Sequence, residues 1–161
     1  MSAVEIRFPV NRLRQQLRTP GGKSMAEALK DAQAGLDTLA AKCLLIIDQA
    51  LMEIAQAQLA LPDPPTAESL RRLYEASNSL IGLGGATGLL DLDQAAYSFC
   101  DLLDLMIDRQ RADTASIRVH IESMTLLRRP ELLGSGADAQ VILLGLKQVR
   151  DRFAMTVAPS D

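Results

Sequence analysis

The chain contains no tryptophan, a single histidine and two cysteines, and aromatic residues make up only 3% of its 161 positions. Cys43 and Cys100 stand far apart, with no CxxC pair and no neighbouring histidine, which excludes a zinc site or a disulfide scaffold. Both fall on apolar helix faces and read as small buried hydrophobes in a reducing compartment, the cytoplasm by default. His120, the lone histidine, has no second ligand at metal spacing and reads as a packing residue. Charge of one sign is lacking too. Twenty acidic against 17 basic residues leave a net charge of −3, without the basic face that nucleic-acid binders carry. Every apolar stretch is interrupted by charged residues before it could span a membrane. The first 18 residues lack the apolar core of a secretory signal.

What is present is leucine and alanine, in a chain that is 48% hydrophobic. That excludes disorder, and the scarcity of turn residues outside a few clusters points to helices. We expect one all-α domain over residues 24–155 after an N-terminal extension, 1–23, which closes on Pro20-Gly21-Gly22. Ser24 with Glu27 forms a capping box that opens a long helix to about Leu61. Its expected core stripe comprises Leu29, Leu36, Leu39, Cys43, Ile46, Ile47, Ala50, Ile54 and Ala57, with Gly35 as a point of bending or division. Pro62, Pro64 and Pro65 stop that helix and Thr66 starts the next. Further on, Asp113 caps a helix with Ile117, Ile121, Met124 and Leu127 inward. After Arg128-Arg129-Pro130 a last helix aligns Ile142, Leu146, Val149 and Phe153.

The centre of the chain is the run from Leu70 to Leu103, two amphipathic segments joined by glycines. Leu70, Leu73, Ser77, Leu80 and Gly84 share one helical stripe; Arg71, Glu75, Asn78 and Gly82 lie opposite, towards water. The spacing predicts a helix over 66–84 with Asn78 midway along it and Gly82 one turn further. Gly84, Gly85 and Gly88 end it. Asp91 is expected to cap the following helix with Gln94 reaching back, above a core stripe of Leu92, Ala95, Ala96, Phe99, Leu102, Leu103 and Met106. The glycine run GLGGATG is no phosphate loop, since no Lys-Ser/Thr follows and no strand precedes it. No cofactor is implied. Asp91, Asp93, Asp101, Asp104 and Asp108 read as a solvated helix face rather than a metal site.

In this central run Asn78-Ser79-Leu80-Ile81-Gly82, with Gly88 six residues beyond Gly82, resembles the His-x-Leu-Lys-Gly signature of histidine-phosphotransfer (Hpt) domains. The leucine and both glycines match. Asn78 stands where that family has its phosphoacceptor histidine, and Ile81 where it has lysine. The resemblance implies an up-and-down four-helix bundle, with helices near 36–61, 66–84, 91–110 and 113–128, to which the last helix is an addition. It further implies a response-regulator receiver domain or a histidine kinase as partner, bound without phosphate transfer. The contact surface would centre on Arg71, Tyr74, Glu75, Asn78, Gly82 and Gly85.

Two other functions compete with this docking module. Glu75 and Asn78 are similar to the Glu-x-x-Asn motif of certain chemotaxis phosphatases, in which an amide orients water towards an aspartyl phosphate. Positioning is most of what phosphoryl transfer needs. The third alternative is a structural bundle unrelated to phosphorelays, self-associating into a homodimer through its extra helix.

Overall fold

A computed structural model describes residues 21–134 and 136–155, so most of the expected extension, 1–23, lies outside the described residues. Every regular element among those residues is helical. The chain divides into two compact units between Leu36 and Asp37. In the first, Ser24 and Glu27 form the expected capping box: Ser24 N–H donates to Glu27 Oε2 at 2.8 Å and Glu27 N–H to Ser24 Oγ at 3.2 Å. This opens α1, Met25–Leu59, which is continuous through Gly35 and not divided there.

The second unit holds the core. It comprises the remainder of α1 with α2 (Ala67–Asn78), the single turn α3 (Gly84–Thr87), α4 (Leu90–Asp108), α5 (Thr114–Leu127), a 3₁₀ turn at Pro130–Leu132, and α6 (Gly136–Met155). α4 is the central element. All seven residues of its expected stripe, Leu92 to Met106, are buried, and α2, α5 and α6 each pack on it. The α5 stripe of Ile117, Ile121, Met124 and Leu127 is likewise buried. On α6 only Leu146 and Phe153 of the four aligned residues are fully buried; Ile142 and Val149 sit at the edge.

The directions of the helices follow from their contacts. Leu70 near the start of α2 shares a pocket with Met106 at the end of α4, while Gly84 meets Asp93 near the start of α4. α2 and α4 are therefore antiparallel. Three contacts run in the same order along α4 and α6: Gln140 to Asp91, Arg150 to Asp101, and Arg109 to the Phe153 carbonyl. These two helices are parallel. Asp113 caps α5 as expected, accepting from the N–H groups of Ala115 at 3.0 Å and Ser116 at 3.4 Å. Burial alone would raise the Asp113 carboxyl, but the bonds from Ser116 and Ala115 hold it below its ordinary value. α1 joins α5 through a two-pronged ion pair, Arg128 Nε to Asp48 Oδ1 at 2.7 Å and Nη2 to Oδ2 at 3.0 Å.

The structure corrects three expectations. α1 buries Cys43, Ile47, Ala50, Leu51 and Ile54, whereas Leu29, Leu36, Leu39 and Ile46 of the expected stripe are exposed. Burial along α1 begins at Cys43, so apolar spacing before it does not report burial. Asp91 does not cap α4. Leu89 occupies that position without a side-chain cap, and Asp91 accepts from Gln140 on α6 instead. The helix expected over 66–84 ends at Asn78, which is thus its last residue and not its midpoint.

That early end has a local cause. Ser77 Oγ donates back to the Leu73 carbonyl at 2.7 Å and Ser79 Oγ to the Ala76 carbonyl at 2.6 Å, a competition known to loosen helices. The next amides bond three residues back: Leu80 to Ser77, Ile81 to Asn78, Leu83 to Leu80. Gly82 turns left-handed at φ +91°, a conformation that favours glycine. Finally the Gly84 N–H goes to Asp93 Oδ1 at 3.0 Å, so it is lost to any helix continuing from Leu80.

Candidate functional site

Thr66 sets the phase of α2. Its Oγ1 accepts from Ser69 N–H at 3.2 Å while Ser69 Oγ accepts from Thr66 N–H at 3.0 Å, a reciprocal cap with serine in the usual glutamate place. Leu70, Leu73 and Ser77 then face the core. The opposite face, as the spacing predicts, leaves Arg71, Glu75 and Asn78 exposed, with Tyr74 half-buried beside them. Gly82 and Gly85 are exposed as well, and a Cβ at either would meet nothing within 4 Å. Gly82, however, sits in the turn after α2 and not one helical turn along it. Among the described residues no hydrogen bond joins Glu75 to Asn78, so their shared face brings them near without linking them.

Sequence reasoning missed how α4 completes this surface. Tyr74 feels the charge of Asp104, which, followed by burial, Cys100 and Asp101, raises the phenol above its ordinary value. Burial, with Asp108 and Asp101, raises Asp104 in turn. The signal was available: Asp101, Asp104 and Asp108 recur at three and four residues on the side of α4 away from Leu102 and Met106. The acidic series does not act as one group. Asp91 binds Gln140, Asp93 holds the Gly84 amide, Asp101 pairs with Arg150, and the charge of Asp104 acts on Tyr74. No metal-ligating cluster exists among the described residues.

The Cys100 thiol is pushed up to about 12 by burial, with Asp104 and Asp101 adding to it, and a protonated thiol is inert. The face presents one amide, two carboxylates, one guanidinium and a phenol around cleared glycines.

His120 lies elsewhere, fully buried on α5. Its Nδ1 contacts the Ser116 carbonyl at 2.9 Å, Nε2 lies 3.4 Å from Ser98 Oγ, and the ring stacks on Phe99 at 5.5 Å. Burial lowers its pKa below the ordinary 6.5; the Ser116 bond opposes that shift and Arg150 adds to it. A histidine depressed in the folded state is protonated first in the unfolded chain. Stability should therefore fall as pH drops from about 7.5 to 5, above the range where most carboxylates titrate. His120→Asn, compared by urea unfolding across that window, should show a flatter dependence. An equal slope in parent and variant would place the responsible group elsewhere.

No helix of the described residues is long and apolar enough to cross a membrane. Neither a protein-family model nor a curated protein matches the chain.

Proposed function

We propose that the chain is a non-catalytic docking module of two-component signalling, an Hpt-like bundle that binds a response-regulator receiver domain or a histidine kinase without carrying phosphate. In this reading α1, α2, α4 and α5 are the up-and-down four-helix core and α6 is the addition. The observation that carries it is the α2 face: Arg71, Glu75 and Asn78 are exposed, and the turns that follow carry the exposed, cleared Gly82 and Gly85. The chain's one imidazole, meanwhile, is sealed in the core. Hpt-like recognition needs an approachable helix face, and phosphotransfer needs an approachable histidine. Only the first is available here.

The test is binding to a panel of purified receiver and kinase domains, with a bulky charge placed on the face. Gly82 is a poor site for it, because at φ +91° any side chain is strained. Gly85→Arg avoids that problem, having open space at its Cβ and an ordinary φ. Affinity for the cognate domain should fall at least about tenfold, equivalent to ~1.4 kcal/mol, while Glu122→Lys on α5 leaves it unchanged. Equal binding by Gly85→Arg and parent would move the structural-bundle reading ahead. Asn78→Ala separates docking from the phosphatase alternative that Glu75 and Asn78 suggest. A docking module loses little affinity, whereas a phosphatase keeps its binding and loses its acceleration of receiver dephosphorylation.

A further inference from the structure

The buried imidazole of His120 has one polar route outwards, through Ser98. Its tautomer is set by its neighbours. Nδ1 lies 2.9 Å from the Ser116 carbonyl oxygen, which can only accept, so Nδ1 carries the proton. Nε2 is therefore an open lone pair, and the Ser98 hydroxyl 3.4 Å away is its donor. The stack on Phe99 holds the ring in that orientation. Ser98 is half-buried and lines a cavity of about 470 Å³ between α4 and α6. Satisfying a buried nitrogen requires only a donor. Nothing in that role requires the donor to border open space.

A hydroxyl, an unprotonated ring nitrogen and an acceptor on the other ring nitrogen are a nucleophile, its base and the group that orients the base. The contact is long for such a pair, and bonds of this kind shorten when a substrate is present. The same cavity supplies further parts. Gln94, one turn before Ser98 on α4, lines it and brings an amide donor for a developing oxyanion. Arg150 lines it as well, and its charge is felt at His120. Tyr97, Leu143 and Leu144 give it an apolar wall. We infer that Ser98 is a site of covalent acylation, taking the acyl group of an activated ester or thioester with His120 as its base. Oγ attacks the acyl carbon while its proton passes to Nε2. The Oγ–C bond forms, the bond to the leaving oxygen or sulfur breaks, and the leaving group departs as an anion. Nε2 then returns its proton to water.

The class of donor follows from the burial of the base. Burial keeps the imidazole neutral and makes the imidazolium costly. A leaving group that is a weak base departs without that proton, whereas an alkoxide does not. Release of the acyl group from Ser98 would have to expel the serine alkoxide, so the product persists and the chain is modified rather than turned over. The cavity lies on α4 and α6, away from the docking face on α2, so the two readings stand or fall separately.

The full chain should be incubated with p-nitrophenyl acetate and its peptides analysed by mass. One acetyl group should appear on Ser98 and remain after the ester is removed. General-base assistance contributes about 10²–10⁴-fold, so acetylation of Ser98 should be at least about a hundredfold faster than in the urea-unfolded chain. His120→Gln should lose that advantage while keeping a cooperative unfolding transition. Gln94→Ala, at an exposed position, keeps the fold and should slow acetylation about tenfold or more. A parent left unlabelled at Ser98 overturns the inference. So does labelling of Ser98 that is equally fast in His120→Gln or in the unfolded chain. An unchanged rate in Gln94→Ala overturns the part given to its amide. Release of many equivalents of p-nitrophenolate, lost in Ser98→Ala, overturns the persistence of the adduct.

Discussion

Gly84→Ala should destabilise the protein by about 3–5 kcal/mol, far more than one methyl group ordinarily costs. A Cβ at this position would stand 2.5 Å from the Leu89 carbonyl oxygen and 2.7 Å from Asp93 Cγ. Neither neighbour is the free end of a flexible chain: the first is backbone, and the second is held by the amide it accepts. Overpacking of this kind costs about 1–3 kcal/mol. Pushing Asp93 away also breaks its 3.0 Å bond to Gly84 N–H, and a bond to a charged group contributes about 1.5–3 kcal/mol. The neighbouring glycines supply the scale. Gly88→Ala keeps its space but must hold φ +76°, at about 1–2 kcal/mol for a left-handed residue. Gly85→Ala meets nothing and should stay within about 0.5 kcal/mol. Urea unfolding of the three variants should rank them in that order. If Gly84→Ala matches Gly85→Ala, the closure between the end of α2 and the start of α4 does not depend on Gly84.

The contrast among these glycines shows where sequence reasoning reached its limit. Burial along the central run was legible: Leu70, Leu73, Ser77, Leu80 and Gly84 all face the core, and Arg71, Glu75, Asn78 and Gly82 all face water. Yet the backbone between Asn78 and Gly84 is a series of three-residue turns and not the expected helix. Steps of three and four residues satisfy both conformations. The back-bonded Ser77 and Ser79 and the left-handed Gly82 favour the turns locally, but the Asp93 carboxylate that claims the Gly84 amide stands nine residues away, and no local pattern announces such a partner. The same limit explains Asp91. Its spacing to Gln94 is that of a capping box, but Gln140 of α6 supplies a competing donor.

α1 failed in the opposite direction. Its apolar spacing is real along the whole helix, but periodicity records only that one face avoids water, not which surface covers it. From Cys43 onward that surface is the core of the second unit. Before it, Met25, Leu29, Leu36 and Leu39 are exposed. At the docking face the exposed residues of α2 were legible because they share one helix. The acidic face of α4 was legible too, from Asp101, Asp104 and Asp108, but that Asp104 acts on Tyr74 was not, because it depends on how the two helices pack.

Phe99→Ala should cost about 3–5 kcal/mol, the usual range for emptying a buried ring site. Phe99 is fully buried in the middle of α4, the helix that meets α2, α5 and α6 at once. No single neighbour can move in to fill the space without leaving another contact. With total stability on the order of 5–15 kcal/mol, the loss should lower the melting temperature by roughly 10–20 °C. One neighbour makes the effect separable from simple loss of volume. The Phe99 ring lies 5.5 Å from the His120 ring at an interplanar angle of 21°, and it helps keep water from the imidazole. Burial is the leading cause of the low His120 pKa, so a cavity that admits water should let that pKa rise towards its ordinary value. The dependence of stability on pH between about 5 and 7.5 should then flatten in Phe99→Ala. Phe99→Leu, which keeps most of the volume, should recover most of the stability and most of the slope. A Phe99→Ala variant with the full melting loss but the parent's slope would mean that the site collapses dry around His120, and that the desolvation comes from the other side of the ring.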